Sequence, residues 1–278
     1  MATASAPIAA RRARGAADLV FPPPARRVFE GLLIAYRRTW MGTIVSSFLT
    51  PVLFLLAMGV GLGRLVDRGQ AAQRLGDVSY LGFIAPGLLA ATVMQVAAQE
   101  SMWPIMAGIK WLKTFHAMIA TPVSPFDVVM AHVWFLAVRA ASVATVFLAI
   151  ITVFGAVVSP WAVVAVPVAV LTALAFACPI MAFAATRESD QGFAALSRFV
   201  IQPLFLFSGS FFPISQLPAW LRPVAWVTPL WHGVEVARGA TLGHPRPLAW
   251  ALHVAVLLAY AGVGLFVARL TFERRLIT

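Results

Sequence analysis

Six stretches of this chain are long enough to cross a bilayer and nearly free of charge. Residues 43–63, 79–99, 160–186, 199–221 and 247–268 contain no Asp, Glu, Lys or Arg, and 128–158 contains only Arg139. A spanning helix needs about 20 mostly apolar residues. Hydrocarbon offers the backbone no hydrogen-bond partners, so only helices or closed barrels cross it. Barrel strands alternate polar and apolar residues, whereas these runs are continuously apolar. The chain therefore predicts an all-α integral membrane protein. Its six transmembrane helices fall at about 43–63, 79–99, 128–153, 160–186, 194–214 and 247–268. Of its 278 residues, 61% are hydrophobic and 11% charged, against about 25% charged in a soluble domain.

Residues 1–27 are a different material, rich in Ala, Arg and Pro, and cannot bury a core; they predict a disordered N-terminus before a membrane domain at 28–278. No apolar core follows the arginines closely enough for a secretory signal. From Val28, residues Val28, Leu32, Tyr36 and Trp40 recur every four positions, with Arg37 and Arg38 beside them. That pattern suits an N-terminal interfacial helix in the headgroup plane; the other reading is an extension of span one. Cys178, the single cysteine, sits in an apolar run and reads as a small packer.

The net charge is +11. The basic residues lie mostly outside the apolar runs with no aromatic interleaving, which argues against a nucleic-acid partner and for setting orientation in a lipid bilayer. With six spans, both termini share a side. If that side is the cytoplasm, Lys and Arg number seven in 1–42, two in 100–127, two in 187–198 and three in 269–278. The outer connections 64–78 and 222–246 hold three each. The bias favours cytoplasmic termini.

The longest inner connection, 100–127, carries the chain's two lysines, Lys110 and Lys113. Ile105–Ile119 can form an amphipathic helix, and Thr121-Pro122 and Ser124-Pro125 then force extended backbone. Ser124 or Asp127 can cap the third span, with Pro125 in its first turn. This loop either meets a partner or lies on the membrane without one. Residues 187–198 predict a helical lead-in to span five, and Gly155–Pro160 a tight turn between spans three and four.

Several chemistries lack their residues. No glycine-rich loop ends in Gly-Lys-Ser/Thr, so this chain has no phosphate cradle. The five histidines show no metal-ligand spacing, and no acid pair lies deep in a span. His253 and His132 read as packing residues. Arg139 is the single deep ion, about 18 Å along a helix from Asp127. A charge at that depth lines a polar pathway or meets a headgroup, or else is paired or snorkels.

Residues 211–243, FFPISQLPAWLRPVAWVTPLWHGVEVARGATLG, are too apolar for a wet loop. They are too broken, at Pro213, Pro218, Pro223 and Pro229, for one straight helix. Trp220, Trp226 and Trp231 suit a headgroup-level rim. Glu235 and Arg238, three apart, can pair on a helix, either as a solvated surface bridge or to fix the segment.

Residues 209–243, beginning GSFFPISQLPAWL, are similar to the pattern G-x-F-F-P-x-x-x-L-P-x-W-L…P-L-x-H/Y-x-x-E/D-x-x-R of ABC-2 type transporter permeases. The likeness is strongest to the NodJ-type lipo-oligosaccharide and daunorubicin-type drug exporters. MIATPVSPFDVVMAH resembles that family's loop between spans two and three, and the likeness covers Val28 to the C-terminus. The resemblance implies a transport subunit and not an enzyme. It implies export of an amphiphile such as a lipo-oligosaccharide, lipid-linked glycan or hydrophobic drug across a bacterial inner membrane. It further implies a second permease copy, as a homodimer, and a cytoplasmic ATPase subunit that holds ATP and Mg; this chain would hold no cofactor. Contacts to the ATPase would come from Tyr36, Arg37, Arg38, Lys110, Lys113, Phe115, Thr121, Pro122 and Pro125. A re-entrant helical segment between spans five and six would roof the path at the outer face, with Pro213, Pro218, Trp220, Pro229, His232, Glu235 and Arg238 as gate residues. Rival readings are a membrane-embedded lipid-modifying enzyme and a secondary carrier without an ATPase.

Overall fold

The computed structural model describes residues 23–57, 61 and 78–277. The N-terminal tail up to residue 22, the end of span one and the connection carrying Arg64, Arg68 and Arg74 lie outside the described residues. Within them, all regular structure is helical.

Helix α1 runs unbroken over Pro23–Leu55. The stretch expected to lie as a separate interfacial helix and the start of span one therefore share one helix. Helix α2 (Tyr80–Met106) continues through a π segment, Ala107–Trp111. It outlasts its charge-free run and takes in half of the amphipathic helix expected at 105–119. Lys113, at φ 53°, breaks the chain there; a non-glycine residue in the left-handed region ends helical hydrogen bonding. A short helix, α3 (Thr114–Ile119), follows.

Helix α4 (Pro125–Val153) opens with a reciprocal capping box. Ser124 Oγ accepts the Asp127 N–H at 3.1 Å, and Asp127 Oδ2 accepts the Ser124 N–H at 2.9 Å. Pro125 takes the first turn, where its missing N–H costs nothing. A tight turn with Gly155 at φ 74° and a 3₁₀ turn at Pro160–Val164 lead into α5 (Ala165–Ala185). Next come α6 (Gln191–Leu196), a π segment at Ser197–Ile201 and α7 (Gln202–Phe207). Beyond a broken stretch lie α8 (Arg222–Val227), α9 (Pro229–Leu242) and α10 (Pro247–Ile277). Among the described residues, four helices are long and apolar enough to cross a membrane: Tyr80–Trp111, Pro125–Val153, Pro160–Ala185 and Pro247–Ile277. Gln191–Phe207 is apolar but shorter.

The packing has a centre and a rim. Residues 82–94 of α2 are buried without interruption, as suits a helix apolar all round. Helix α5 packs on α2, α4, α9 and α10. Phe147, Phe193, Phe272, Met102 and Met181 fill the core between them. Helix α10 leaves Leu252, Leu258, Val263 and Phe266 exposed, a surface that hydrocarbon tolerates and water does not. The Ser124 cap marks one end of the bundle, the α3 end. At the other, the α9 end, the Val158 N–H donates to the Thr241 carbonyl at 3.0 Å.

The deep ion is paired. Arg139 Nη2 lies 3.1 Å from Glu100 Oε1, with side-chain exposures of 9% and 24%. Its guanidinium sits 5.1 Å from the ring centroid of Tyr36, which also packs edge-on against Phe135. Charge and ring thus tie α1, α2 and α4 together. Removing one partner of a buried pair strands the other, whereas removing both is close to neutral. Arg139→Leu should lose about 3 kcal/mol of stability, and the Glu100→Leu/Arg139→Leu double variant should regain most of it. Thermal unfolding in detergent decides, and a double variant as weak as the single would sink the pairing account.

Candidate functional site

At the α3 end, two segments far apart in sequence line one cavity of about 910 Å³. Arg27 and Leu32 of α1 form one side, Leu112 and Phe115 the other, and Thr121 and Pro122 the lip. Arg37 and Arg38 are exposed nearby on α1, as are Lys113, Thr121 and Pro122 on the loop. Phe115 and Pro125 are buried, and Tyr36 is turned toward Arg139. Those three shape the surface from beneath. Phe115 does so by packing edge-on to His132, centroids 5.1 Å apart, and beside Phe272 at 6.2 Å.

Lys110 is engaged. Its Nζ lies 3.1 Å from Glu188 Oε2 and also donates to the Glu188 carbonyl. Arg275 Nη1 meets Glu188 Oε1 at 2.5 Å. One carboxylate therefore joins the π segment after α2, the α5–α6 turn and the end of α10. Sequence reasoning missed Glu188 and Arg275, because residues 78 and 87 positions away from a basic or acidic partner leave no local spacing to read. The Arg275 and Lys110 hydrogen bonds hold the Glu188 carboxyl at a pKa of about 2, against an ordinary 4.5. The clasp is exposed, so salt weakens it.

At the α9 end, α7 stops at Phe207 and the chain turns back at Gly209, φ 79°. Ser208, Gly209 and Ser210 are buried. The turn presses on α2 so closely that a Cβ on Gly87 would stand 2.7 Å from Ser210 Cα; only glycine fits there. Arg238 fastens the turn. Nη2 donates to the Gly209 carbonyl at 2.6 Å, Nε to the Phe83 carbonyl at 3.2 Å, and Nη1 reaches Glu235 Oε1 at 3.3 Å. The guanidinium also lies 3.9 Å over the Phe83 ring. The i,i+3 pair with Glu235 is present beside these contacts.

The prolines sit where broken backbone needs them. Pro213 precedes the 3₁₀ turn Ile214–Gln216, Pro218 accepts the Leu221 N–H at 2.9 Å, and Pro229 is the buried first residue of α9. Trp220 and Trp226 are exposed at this end. Trp103 and Trp111 stack at the opposite one, ring centroids 6.2 Å apart. His232 Nδ1 lies 2.7 Å from His253 Nδ1, with Trp231 edge-on to both rings. This histidine pair joins α9 to α10, and no sequence spacing announced it.

Two outcomes follow from these geometries. Lysine keeps the charge of Arg238 but not its planar fork or its stacking, so Arg238→Lys should cost about 2 kcal/mol and Arg238→Ala more; a thermal melt of Arg238→Lys matching wild type would refute the fork. Glu188 titrates lower in the fold than when unfolded. Its stabilisation is therefore full above about pH 4.5 and is lost as pH falls toward 2. Melting temperatures across that window should fall less for Glu188→Gln than for wild type, and equal slopes would contradict the clasp.

Comparison with known proteins bears on both ends. The profile of the family described as ABC-2 type transporter matches residues 26–242. Nodulation protein J of Rhizobium meliloti (strain 1021) is 29% identical over 243 residues, covering 87% of this chain and 90% of its own. Nodulation protein J of Neorhizobium galegae is 30% identical over 249 residues, 90% and 92% of the two chains. The inner membrane transport permease YadH of Escherichia coli (strain K12) is 24% identical over 230 residues, 81% and 86%. The match takes in α1, the α3-end loop, the turn at Gly209 and all of α9, and the chain belongs to the ABC-2 type transporter family, membrane subunits of ABC transporters.

Proposed function

We propose that this chain is the permease half of an ATP-driven exporter. It would move an amphiphile, such as a lipo-oligosaccharide, a lipid-linked glycan or a hydrophobic drug, out of the cytoplasm across a bacterial inner membrane. One observation carries the reading: the first half of α1 and the α3 loop border a single cavity at one end of the bundle. That hollow offers a cytoplasmic ATPase subunit a seat, with ATP and Mg held by the ATPase. Exposed Arg37 and Arg38 follow its α1 wall, exposed Lys113 lies between Leu112 and Thr114 of its other side, and Phe115 passes any tilt of α3 to α4 and α10. The Lys110–Glu188–Arg275 clasp carries the same motion to the α5–α6 turn.

In this reading the α3 end and both termini are cytoplasmic, as the charge bias favours. The segment 208–242 re-enters at the outer face as a roof, with Arg238 as its brace. A second copy of the chain completes the pathway; exposed Leu49 and Leu53 of α1 suit such a contact.

The full chain isolated from its own membranes should bring with it an ATP-binding subunit, and the pair in vesicles should hydrolyse ATP and move substrate together. Reversing charge with Arg37→Glu/Arg38→Glu should lower recovery of that subunit about tenfold, the equivalent of about 1.4 kcal/mol. Transport by the chain alone, without nucleotide, would defeat the proposal; arrest by a proton uncoupler while ATP stays high would favour a secondary carrier.

A further inference from the structure

Helices α5 and α10 pack along much of their length and approach most tightly at Gly264 and Pro179. A Cβ on Gly264 would stand 2.4 Å from Pro179 Cδ, so the two helices meet there backbone to ring. From that crossing, Thr186 and Thr271 each lie seven residues further along, about 10 Å of helix rise. Beside the crossing runs a groove of about 600 Å³, lined by Pro179, Phe183, Thr186, Tyr260, Val263 and Thr271. A second groove, of about 680 Å³, shares Pro179, Phe183 and Tyr260 and extends to Leu204, Val224 and Val227. Phe183 and Tyr260 thus form a ridge between two apolar channels. Tyr260 is held in place by donating its hydroxyl to the Val227 carbonyl at 2.8 Å.

The grooves carry a charge at one end only. Arg187 lies 4.6 Å over the Phe183 ring and donates Nε to Thr186 Oγ1 at 3.2 Å. Among the described residues no carboxylate pairs with it, whereas Lys110 and Arg275 share Glu188 and Arg269 pairs with Glu273. Water gains nothing in channels of this composition, and channels left empty forfeit dispersion contacts along their walls. A guanidinium binds phosphate in a bidentate fork, and basic pockets between spanning helices suit lipid head groups.

We infer that this ridge seats an anionic glycerophospholipid of the bilayer, one acyl chain in each groove and its phosphate on the terminal nitrogens of Arg187, beside Thr186 and Thr271, whose hydroxyls donate to carbonyls of their own helices. The site lies apart from the α3-end cavity, and its second groove ends against α8 and Pro229 of the proposed roof. Placing the headgroup in the cytoplasmic leaflet rests on the proposed cytoplasmic location of the termini. The lipid would hold α10 at a set distance from α5 beyond the Gly264 crossing.

The test reconstitutes the full chain in nanodiscs of equal parts phosphatidylglycerol and phosphatidylcholine, with no other amphiphile. Mild detergent then strips loosely held lipid, and native mass spectrometry reads what remains. Wild type should retain phosphatidylglycerol over phosphatidylcholine at about ten to one, against one to one in the bulk. Arg187→Gln should return that ratio to bulk, Arg187→Lys should keep most of it, and Ala182→Trp, which fills the first groove, should lose retained lipid of both kinds. Retention at the bulk ratio in wild type, or enrichment unchanged in Arg187→Gln, would overturn the site. So would efficient disulfide cross-linking of Val263→Cys between two copies, which would show a second chain covering the groove. The leaflet is read separately: labelling of Ser189→Cys by an impermeant thiol reagent from outside the cell would overturn the cytoplasmic placement and the orientation with it, while leaving the enrichment to stand or fall by itself.

Discussion

Arg238 makes tolerable what the rest of the chain forbids. A protein read as living in hydrocarbon cannot leave backbone carbonyls bare, yet residues 208–228 abandon continuous helix. The fork of Arg238 meets one carbonyl of the turn, that of Gly209, and one of α2, that of Phe83, and so ties the two together. Its flat face covers the Phe83 ring, and Glu235 offsets its charge. The turn then presses onto Gly87 of α2, the most enclosed helix, and α9 packs on α2, α5 and α10. Without the brace, the broken segment would have to leave the bundle or refold as helix.

The two ends of the molecule solve different problems. The α9 end joins its elements through part-buried hydrogen bonds and aromatic contacts: Arg238 to carbonyls and His232 to His253. Such contacts are strong in low dielectric and slow to give way. The α3 end is joined by an exposed carboxylate shared between two cations, which water and salt weaken. An end that must tilt against a partner is better served by the second kind of contact, and this division fits the proposed placement of the ATPase beneath α3 and of the roof at α9.

The core between them is set by helix-to-helix proximity. Gly87 against Ser210 and Gly264 against Pro179 are places where a single methyl group would not fit. Small residues let backbones approach where lipid supplies no hydrophobic push between helices. Arg139 shows the complementary device. A charge too deep for water is matched by Glu100 and covered by Tyr36, and so becomes a joint between three helices.

Local chemistry was legible in the sequence. The apolar runs marked the long helices, Ser124, Pro125 and Asp127 marked the start of α4, Gly155 marked a turn, and four prolines marked the break after α7. Each of these depends on neighbours a few residues away, and spacing along the chain encodes it. The Glu235–Arg238 pair was legible for the same reason. Partners across the fold were not: Glu100 for Arg139, Glu188 for Lys110 and Arg275, His253 for His232, and the Gly209 carbonyl for Arg238 lie between 21 and 87 residues from the groups they meet. The continuity of α1, and the division of the expected 105–119 helix at Lys113, also escaped local reading. Sequence alone determined that this chain is helical, apolar and broken near residue 210, because hydropathy and backbone restriction act residue by residue. Only the tertiary structure decided which charges are joints and which are surface, because the worth of a charge depends on what stands opposite it and how much water reaches both.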